Sequence, residues 1–418
     1  MRLLLSAYAC RPNAGSEPGV GWNWATHLAS RGIDVHVLVA KRNQEAVEAG
    51  LRTNPVPNLH FVYVSVPREW AKKNEVAHYV WWQFAALKAA RELSARHEFD
   101  LAHHVTYASV HVPSQLWRLG IPLIFGPVGG GQTAPVSMLR YFGDDKVKES
   151  FRSTVTKSLT LSPLHRQWLK RMDHVLAANS ATLNLVRELG CKRATLMCDT
   201  AVPADYFSEG PREWTERSGP LRLLWVGRML SRKALPLALD ALKGLHQAVT
   251  LTIAGDGLDA EIVHQMIGER DLRQRVFWKG SRLTFQELRT AYAEHDAMLF
   301  TSLRDSFGSQ VLEAMAMGLP IITLDVHGAH DFVPASASFK VSVGSPAETV
   351  RNLADAIRKY ESLSASRRNQ MSMQAWSFAK TLSWPARVKQ VDRLYEEVLY
   401  GTAHLEDSSV SKMAVEVD

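Results

Sequence analysis

Three cysteines in 418 residues, with no Cys-x-x-Cys pair among them, are too few for a disulfide framework or a zinc ribbon. Cys10, Cys191 and Cys198 are therefore expected to be free thiols in a reducing compartment. Long apolar runs are also missing. Stretches such as "HDAMLF" and "IPLIF" are too short to cross a bilayer. The opening "MRLLLSAYAC" is apolar, but it runs into "RPNAGSEPG" with no small-residue cleavage site, so it reads as a first buried strand and not as a secretory leader. The Gly-rich loop that follows is not a P-loop, because no Gly-Lys-[Ser/Thr] comes after it. No aromatic–basic module of the kind that reads nucleic acid is present.

What remains is ordinary for a globular chain of two domains: 46% hydrophobic and 22% charged residues. The net charge of +7 is uneven. Residues 140–171 hold eight Lys or Arg against three acids, with Phe151, Val155 and Leu159 recurring every fourth position and Trp168 and Leu169 beyond. A basic amphipathic helix of this kind suits an anionic membrane surface. A solvated helix packing its apolar stripe inward is the plain alternative.

Buried strands alternate with helices in each half of the chain. The first half reads "RLLLSAY", "DVHVLVA", "HFVYVSV", "DLAHHV" and "PLIFGPV", with helices near "GVGWNWATHLASRG" and "HYVWWQFAALKAARELSARH". After the polar stretch "SEGPREWTERSGP" come "LRLLWVG", "VTLTIAG", "RVFWKG", "AMLFTS" and "PIITLD". This pattern predicts an α/β chain of two Rossmann-like domains, 1–200 and 201–383. The tail from about Glu406 is polar and expected to fray. In open parallel sheets ligands bind beyond the carboxyl ends of the strands, so the loops there carry the candidates.

Arg228 and Lys233 follow the strand "LRLLWVG" and precede a helix, an arrangement suited to a diphosphate, although two solvated loop bases would look the same. Gly255 and Gly257 mark another strand-to-glycine turn that allows close backbone approach. Asp305 falls in the loop after "AMLFTS", Gly308 lets the backbone approach a ligand, and a helix is predicted to start near Ser309. Glu313 then lies about one turn inside that helix, where an acid also favours the helix dipole.

The stretch "SLRDSFGSQVLEAMAMGLP" resembles the E-x7-E signature of retaining nucleotide-sugar glycosyltransferases of group 1 (family four). It matches at Ser302, Phe307, Gly308, Leu312, Glu313, Ala314, Met315, Ala316, Gly318 and Pro320. "VGRMLSRK" resembles the family's "VGRL...K", and "DVHGAHDFV" its "D-x-G-G-x-x-E-x-V". The resemblance implies a GT-B fold, two Rossmann-like domains facing across a deep cleft, with a helix near 384–401 crossing back onto the first. It implies that Glu313 binds the ribose hydroxyls, that Arg228, Lys233, Gly308 and Ser309 hold the donor, and that Asp305 lies by the donor sugar. Three positions depart from the pattern: Asp305 replaces the first Glu, Ala234 the Gly after the lysine, and His327 one Gly of a Gly-Gly pair.

In the first half, Gly15 and Ser16 form a turn placed to reach the phosphates, with a surface loop and a capping serine as the plain alternative. His103 and His104 end a strand where the family often carries a His near the donor sugar. The offset does not decide between them, and His104 is taken as the catalytic candidate. The two could equally bind a metal, but no nearby carboxylate or cysteine completes a ligand spacing. "GGGQTA" formally matches G-x-G-x-x-A, yet Pro135 follows where a helix should open, so Gly129, Gly130 and Gly131 are read as a loop near the acceptor or diphosphate.

No D-x-D carboxylate pair for a divalent ion is present, so no metal or other cofactor is expected. The leaving diphosphate would be stabilised by cations and helix N-termini. The expected activity is retaining transfer from a nucleoside-diphosphate sugar to a glycan or lipid-linked acceptor in cell-surface polysaccharide synthesis, in the cytoplasm and at the inner membrane face. The alternatives are a phosphorylase or epimerase on the same fold, or a catalytically weak relative serving as a nucleotide-sugar-binding or scaffold subunit.

Overall fold

Leu3, Leu4 and Leu5 are all fully buried, because the strand they form lies inside a parallel sheet covered on both faces. In the computed structural model, which describes residues 1–66, 74–215, 219–258, 260–280 and 283–401, that strand is β1 (Arg2–Ser6). With β2 (Asp34–Ala40), β3 (Leu59–Val64), β4 (Leu101–His104), β5 (Leu123–Val128), β6 (His174–Ala177) and β7 (Ala194–Leu196) it forms a seven-stranded sheet ordered β3-β2-β1-β4-β5-β6-β7. The second sheet holds β8 (Leu221–Val226), β9 (Val249–Ala254), β10 (Val276–Trp278), β11 (Ala297–Phe300), β12 (Ile321–Leu324) and β13 (Ser338–Val341), ordered β10-β9-β8-β11-β12-β13. Every pairing between these strands is parallel. Each sheet is doubly wound, and its strand order reverses at β1/β4 or β8/β11, the switch points where ligands bind in such sheets.

The chain forms two compact units. The first holds Met1–Gly131, Leu159–Asp199 and the chain from Trp384 onward, and the second holds Gln132–Ser158 and Thr200–Ser383. The stretch Gln132–Ser158, which precedes residue 200, thus packs with the second unit. The helix Trp384–Tyr400 belongs to the first unit. It packs on the helix Ser16–Ala29, with the Trp384 ring 5.6 Å from that of Trp24. The tail from Glu406 lies outside the described residues.

The basic stretch 140–171 is not one amphipathic helix. It comprises the helix Lys146–Ser158 in the second unit, a 3-10 turn Leu159–Leu161, and the helix Pro163–Leu169 in the first unit. Its expected apolar stripe is split as well: Phe151 is exposed, Val155 half-buried, and Leu159 and Leu169 are core.

Candidate active site

The loops after β8 and β11 meet at the switch point of the second sheet, and one hydroxyl fixes their relation. Thr301, the first residue after β11, accepts from the Trp225 indole N–H at 3.1 Å, and its own hydroxyl lies 3.1 Å from the carbonyls of Lys233 and Ala234. This pins the 3-10 turn Ser231–Lys233 beneath the site. Ala234 then takes φ +48°, ψ +51°, the left-handed region that favours glycine and costs an alanine about 1 kcal/mol. That backbone requirement accounts for the glycine the family pattern puts here. His327 likewise sits at φ +51°, while a Cβ on Gly328 would lie 1.8 Å from the Ser306 carbonyl oxygen. The Gly-Gly pair thus answers two needs, a left-handed backbone first and a close approach second, and only the second is absolute.

Lys233 is 7% exposed and its ammonium forms an ion pair with the Asp305 carboxylate, which also lies 3.2 Å from the Arg232 guanidinium. Burial alone would raise the Asp305 pKa, but Lys233 and then Arg232 overcome it and hold the carboxyl below its usual range. Burial lowers the Lys233 pKa, against the pull of Asp305. Arg232 was not among the expected site residues. Its only signal was its place in the turn with Lys233, which does not show that both side chains converge on one acid. Arg228, on the same loop, is exposed.

Gly308, at φ +104°, caps the helix Ser309–Ala316 without any side-chain hydrogen bond. Glu313 lies in the second turn and accepts from the Tyr292 hydroxyl at 3.1 Å. Burial raises its pKa to about 7. Gly255 serves a loop contact: a Cβ there would lie 1.9 Å from the Gly227 carbonyl oxygen.

The stretch Gln132–Ser158 reaches the same loops. Gln132 donates to the Ser306 hydroxyl at 3.2 Å, and buried Glu149 lies 2.7 Å from Arg304. Arg152 donates to the Gln132 carbonyl at 3.2 Å, and burial followed by Arg304 brings its pKa down to about 10. Glu149 and Arg152 were hidden in a run that composition alone describes as basic and solvated.

In the first unit the two histidines are separated by their hydrogen bonds. His103 donates from Nε2 to the Gly126 carbonyl at 2.8 Å, so Nδ1 accepts from the Tyr395 hydroxyl at 2.7 Å. His104 donates from Nε2 to Thr106 O at 3.1 Å, has the Tyr79 hydroxyl 3.0 Å from the same nitrogen, and accepts at Nδ1 from Ser114 at 2.9 Å. Both rings are fully buried, and burial drives their pKa values to about 3 and about 4. His104 is the catalytic candidate of the two. Its nitrogens are engaged by protein groups, and the ring positions the loop after β4. The same engagement leaves the pair no lone pairs for a metal.

Gly15, the N-cap of the helix Ser16–Ala29, and Ser16, at φ +57°, are both exposed, and Gly15 receives no side-chain cap. The neighbouring Glu17 accepts from Tyr107 N at 2.9 Å, tying this turn to the loop after β4, a link the sequence did not reveal. Gly129, Gly130 and Gly131 are half-buried. Gly129 bridges Ser109, Gly130 takes φ +101° beside Ser109 and His111, and a Cβ on Gly131 would lie 2.6 Å from Thr182 Cα.

Two doubly wound parallel sheets, one with cations, an acid and a helix N-terminus gathered at its switch point, define a GT-B protein. The chain belongs to the glycosyltransferases of group 1 (family four): residues 15–198 match the glycosyl transferase 4-like domain and residues 220–360 the glycosyl transferases group 1. It is 34% identical over 146 residues to a glycogen synthase of Mycobacterium tuberculosis, a match covering 34% of this chain and 34% of that one. Over 345 residues, 72% of this chain and 78% of the relative, it is 26% identical to a GDP-mannose-dependent alpha-mannosyltransferase of Corynebacterium glutamicum. Its fold matches that of Anabaena Alr3699/HepE, solved with UDP-glucose, with a TM-score of 0.59 and 15% identity over 95% of this chain and all of that one.

Proposed function

We propose that this chain transfers a sugar, with retention, from a nucleoside-diphosphate sugar to a glycan or lipid-linked acceptor. The observation that carries the reading is the convergence of Lys233, Asp305 and the uncapped helix N-terminus at Gly308–Ser309, with Glu313 on the same helix. Lys233, Arg228 and the first amides of the helix receive the diphosphate, and Glu313 accepts hydrogen bonds from the ribose hydroxyls. Asp305, one methylene shorter than the usual glutamate, stands by the donor sugar. As the diphosphate takes Lys233, Asp305 keeps Arg232 as its counter-ion.

Chemically, the bond from the anomeric carbon to the diphosphate oxygen breaks and negative charge grows on that oxygen. Fixed cations and amides aimed there stabilise this charge with little reorganisation. The leaving phosphate assists removal of the acceptor proton on the same face, which gives retention.

The test is thermal unfolding of wild type and Glu313→Ala against a panel of nucleoside-diphosphate sugars in EDTA, followed by an assay with acceptor. Stabilisation by one nucleotide class, lost in the variant and accompanied by transfer without added metal, is expected. No stabilisation by any donor, or a strict need for a divalent ion, would remove the reading. Binding without turnover would point to the scaffold role.

A second element concerns the membrane. No described helix is long and apolar enough to cross a bilayer. On the helix Lys146–Ser158, however, Val147 and Phe151 are 79% and 70% exposed, one turn apart, beside exposed Lys146 and Lys148. Basic side chains flanking exposed apolar ones suit an anionic surface, and this supports a cytoplasmic enzyme working at the inner membrane face on a lipid-linked acceptor. Flotation with vesicles containing an anionic lipid should carry wild type upward and leave Val147→Ser/Phe151→Ser behind. Equal flotation with zwitterionic vesicles would count against it.

A further inference from the structure

At the amino end of β2, the first sheet gathers a donor set of a different kind. Asp34 and His36 are two residues apart on β2 and share one sheet face. His60 on β3 is the register partner of His36, so its side chain stands on that face too. The backbone thus brings one carboxylate and two imidazoles together without any loop.

The distances fit a metal polyhedron. Asp34 Oδ1 lies 3.1 Å from His60 Nε2 and 3.5 Å from His36 Nε2, and all three ligand atoms fall within 4.8 Å of one another. Ligands about 2.0–2.1 Å from a tetrahedral zinc stand roughly 3.3 Å apart, so both edges that meet at Asp34 have close to the required length. The other carboxylate oxygen, Oδ2, accepts from Arg2 Nε at 2.7 Å. That contact orients the carboxylate and leaves Oδ1 facing the imidazoles, as outer hydrogen bonds do for ligating carboxylates. The His97 ring centroid is 4.8 Å from that of His36, near enough to offer a fourth donor after a rotamer change.

We propose that Asp34, His36 and His60 form a binding site for a borderline divalent transition metal, zinc being the natural occupant of a two-imidazole, one-carboxylate set. Imidazole donors disfavour magnesium and calcium, which take oxygen ligands. The site lies at the amino end of β2, opposite the strand ends that carry ligand loops, and it takes no part in sugar transfer. A bound ion would clip β3, an edge strand, to β2 and stiffen the margin of the first sheet.

The experiment uses the full chain without an affinity tag, stripped with EDTA and dialysed, then titrated with cobalt(II) by visible absorption and with zinc(II) by calorimetry. The expected result is a single equivalent bound, a ligand-field band typical of low-coordinate cobalt, and a higher unfolding temperature on loading. His60→Ala and Asp34→Asn should each weaken binding by about tenfold or more. His60 is 55% exposed in its side chain, so its loss should leave the apo fold intact, as the unfolding temperature of the stripped variant will report. No cobalt band, or the same affinity in His60→Ala, overturns the proposal. Binding is read without turnover, so the result is independent of the donor reading.

Discussion

Replacing Lys233 by methionine is expected to weaken binding of every nucleoside-diphosphate sugar by roughly a hundredfold, about 3 kcal/mol, because it removes a buried charge that the diphosphate would otherwise pair with. Arg228→Ala is expected to cost about tenfold or less, since Arg228 is exposed and its charge is screened by water. The difference between the two lies in burial and not in charge, which is equal. Asp305→Asn should act in the opposite direction on binding. With its carboxylate gone, Lys233 loses the internal anion that competes for it, so the free nucleoside diphosphate should bind more tightly while transfer slows. Stability should fall less in Lys233→Met than the about 3–5 kcal/mol typical of orphaning a buried charge, because Arg232 remains 3.2 Å from Asp305. Calorimetric titration of the three variants reads the affinities, a urea titration the stability of Lys233→Met, and an assay the transfer rate of Asp305→Asn. Unchanged donor affinity in Lys233→Met would show that the ion pair is purely structural.

Parts of this site were legible in the sequence because they follow from backbone geometry. Gly308 announces a positive φ, the apolar run 297–300 announces a buried strand, and the spacing from 305 to 313 then fixes a loop acid and a helix acid. Strands β6, β7 and β13 were not legible. Each has only three or four residues, β7 and β13 are sheet edges, and "ATL" or "SFKV" carries too little apolar pattern to mark a strand. Side-chain direction was the larger gap. Nothing in "SRK" tells that Arg232 turns to Asp305. Nothing in the basic run tells that Glu149 and Arg152 face inward, because net charge averages over both faces of a helix. Nothing in "GGG" tells that Ser109 and His111 crowd Gly130 or that Thr182 crowds Gly131. Nothing in the pair His103–His104 tells that both rings are buried with their nitrogens engaged by protein groups.

The affinity for a nucleoside-diphosphate sugar is expected to fall by up to tenfold per pH unit below about 7, and to level off above it. Burial raises the Glu313 carboxyl to about 7. In the role proposed for Glu313, ribose hydroxyls donate to a carboxylate better than to a carboxylic acid, so the donor would favour the ionised form and binding would release a proton wherever the free protein holds one. The sugar ester is the right ligand, because its diphosphate has no proton to titrate near neutrality. Burial lowers the pKa of His327, the imidazole beside Asp305, from its ordinary value, so it titrates on the acid side of this window. Glu313→Gln should bind the donor weakly at every pH, with a flat profile. The same carboxyl makes an opposite prediction for the unliganded fold. Its folded pKa lies above the unfolded value near 4.5, so the native state holds the extra proton, and its contribution to stability is full below pH 4.5 and is lost as pH rises through about 7. Glu313→Gln should therefore lie closer to or above wild type in stability at pH 8 than at pH 4, as urea titrations at the two pH values would show. A pH-independent donor affinity in wild type, together with no stability crossover in the variant, would mean that Glu313 is ionised throughout. Its hydrogen bond from Tyr292 would then outweigh its burial.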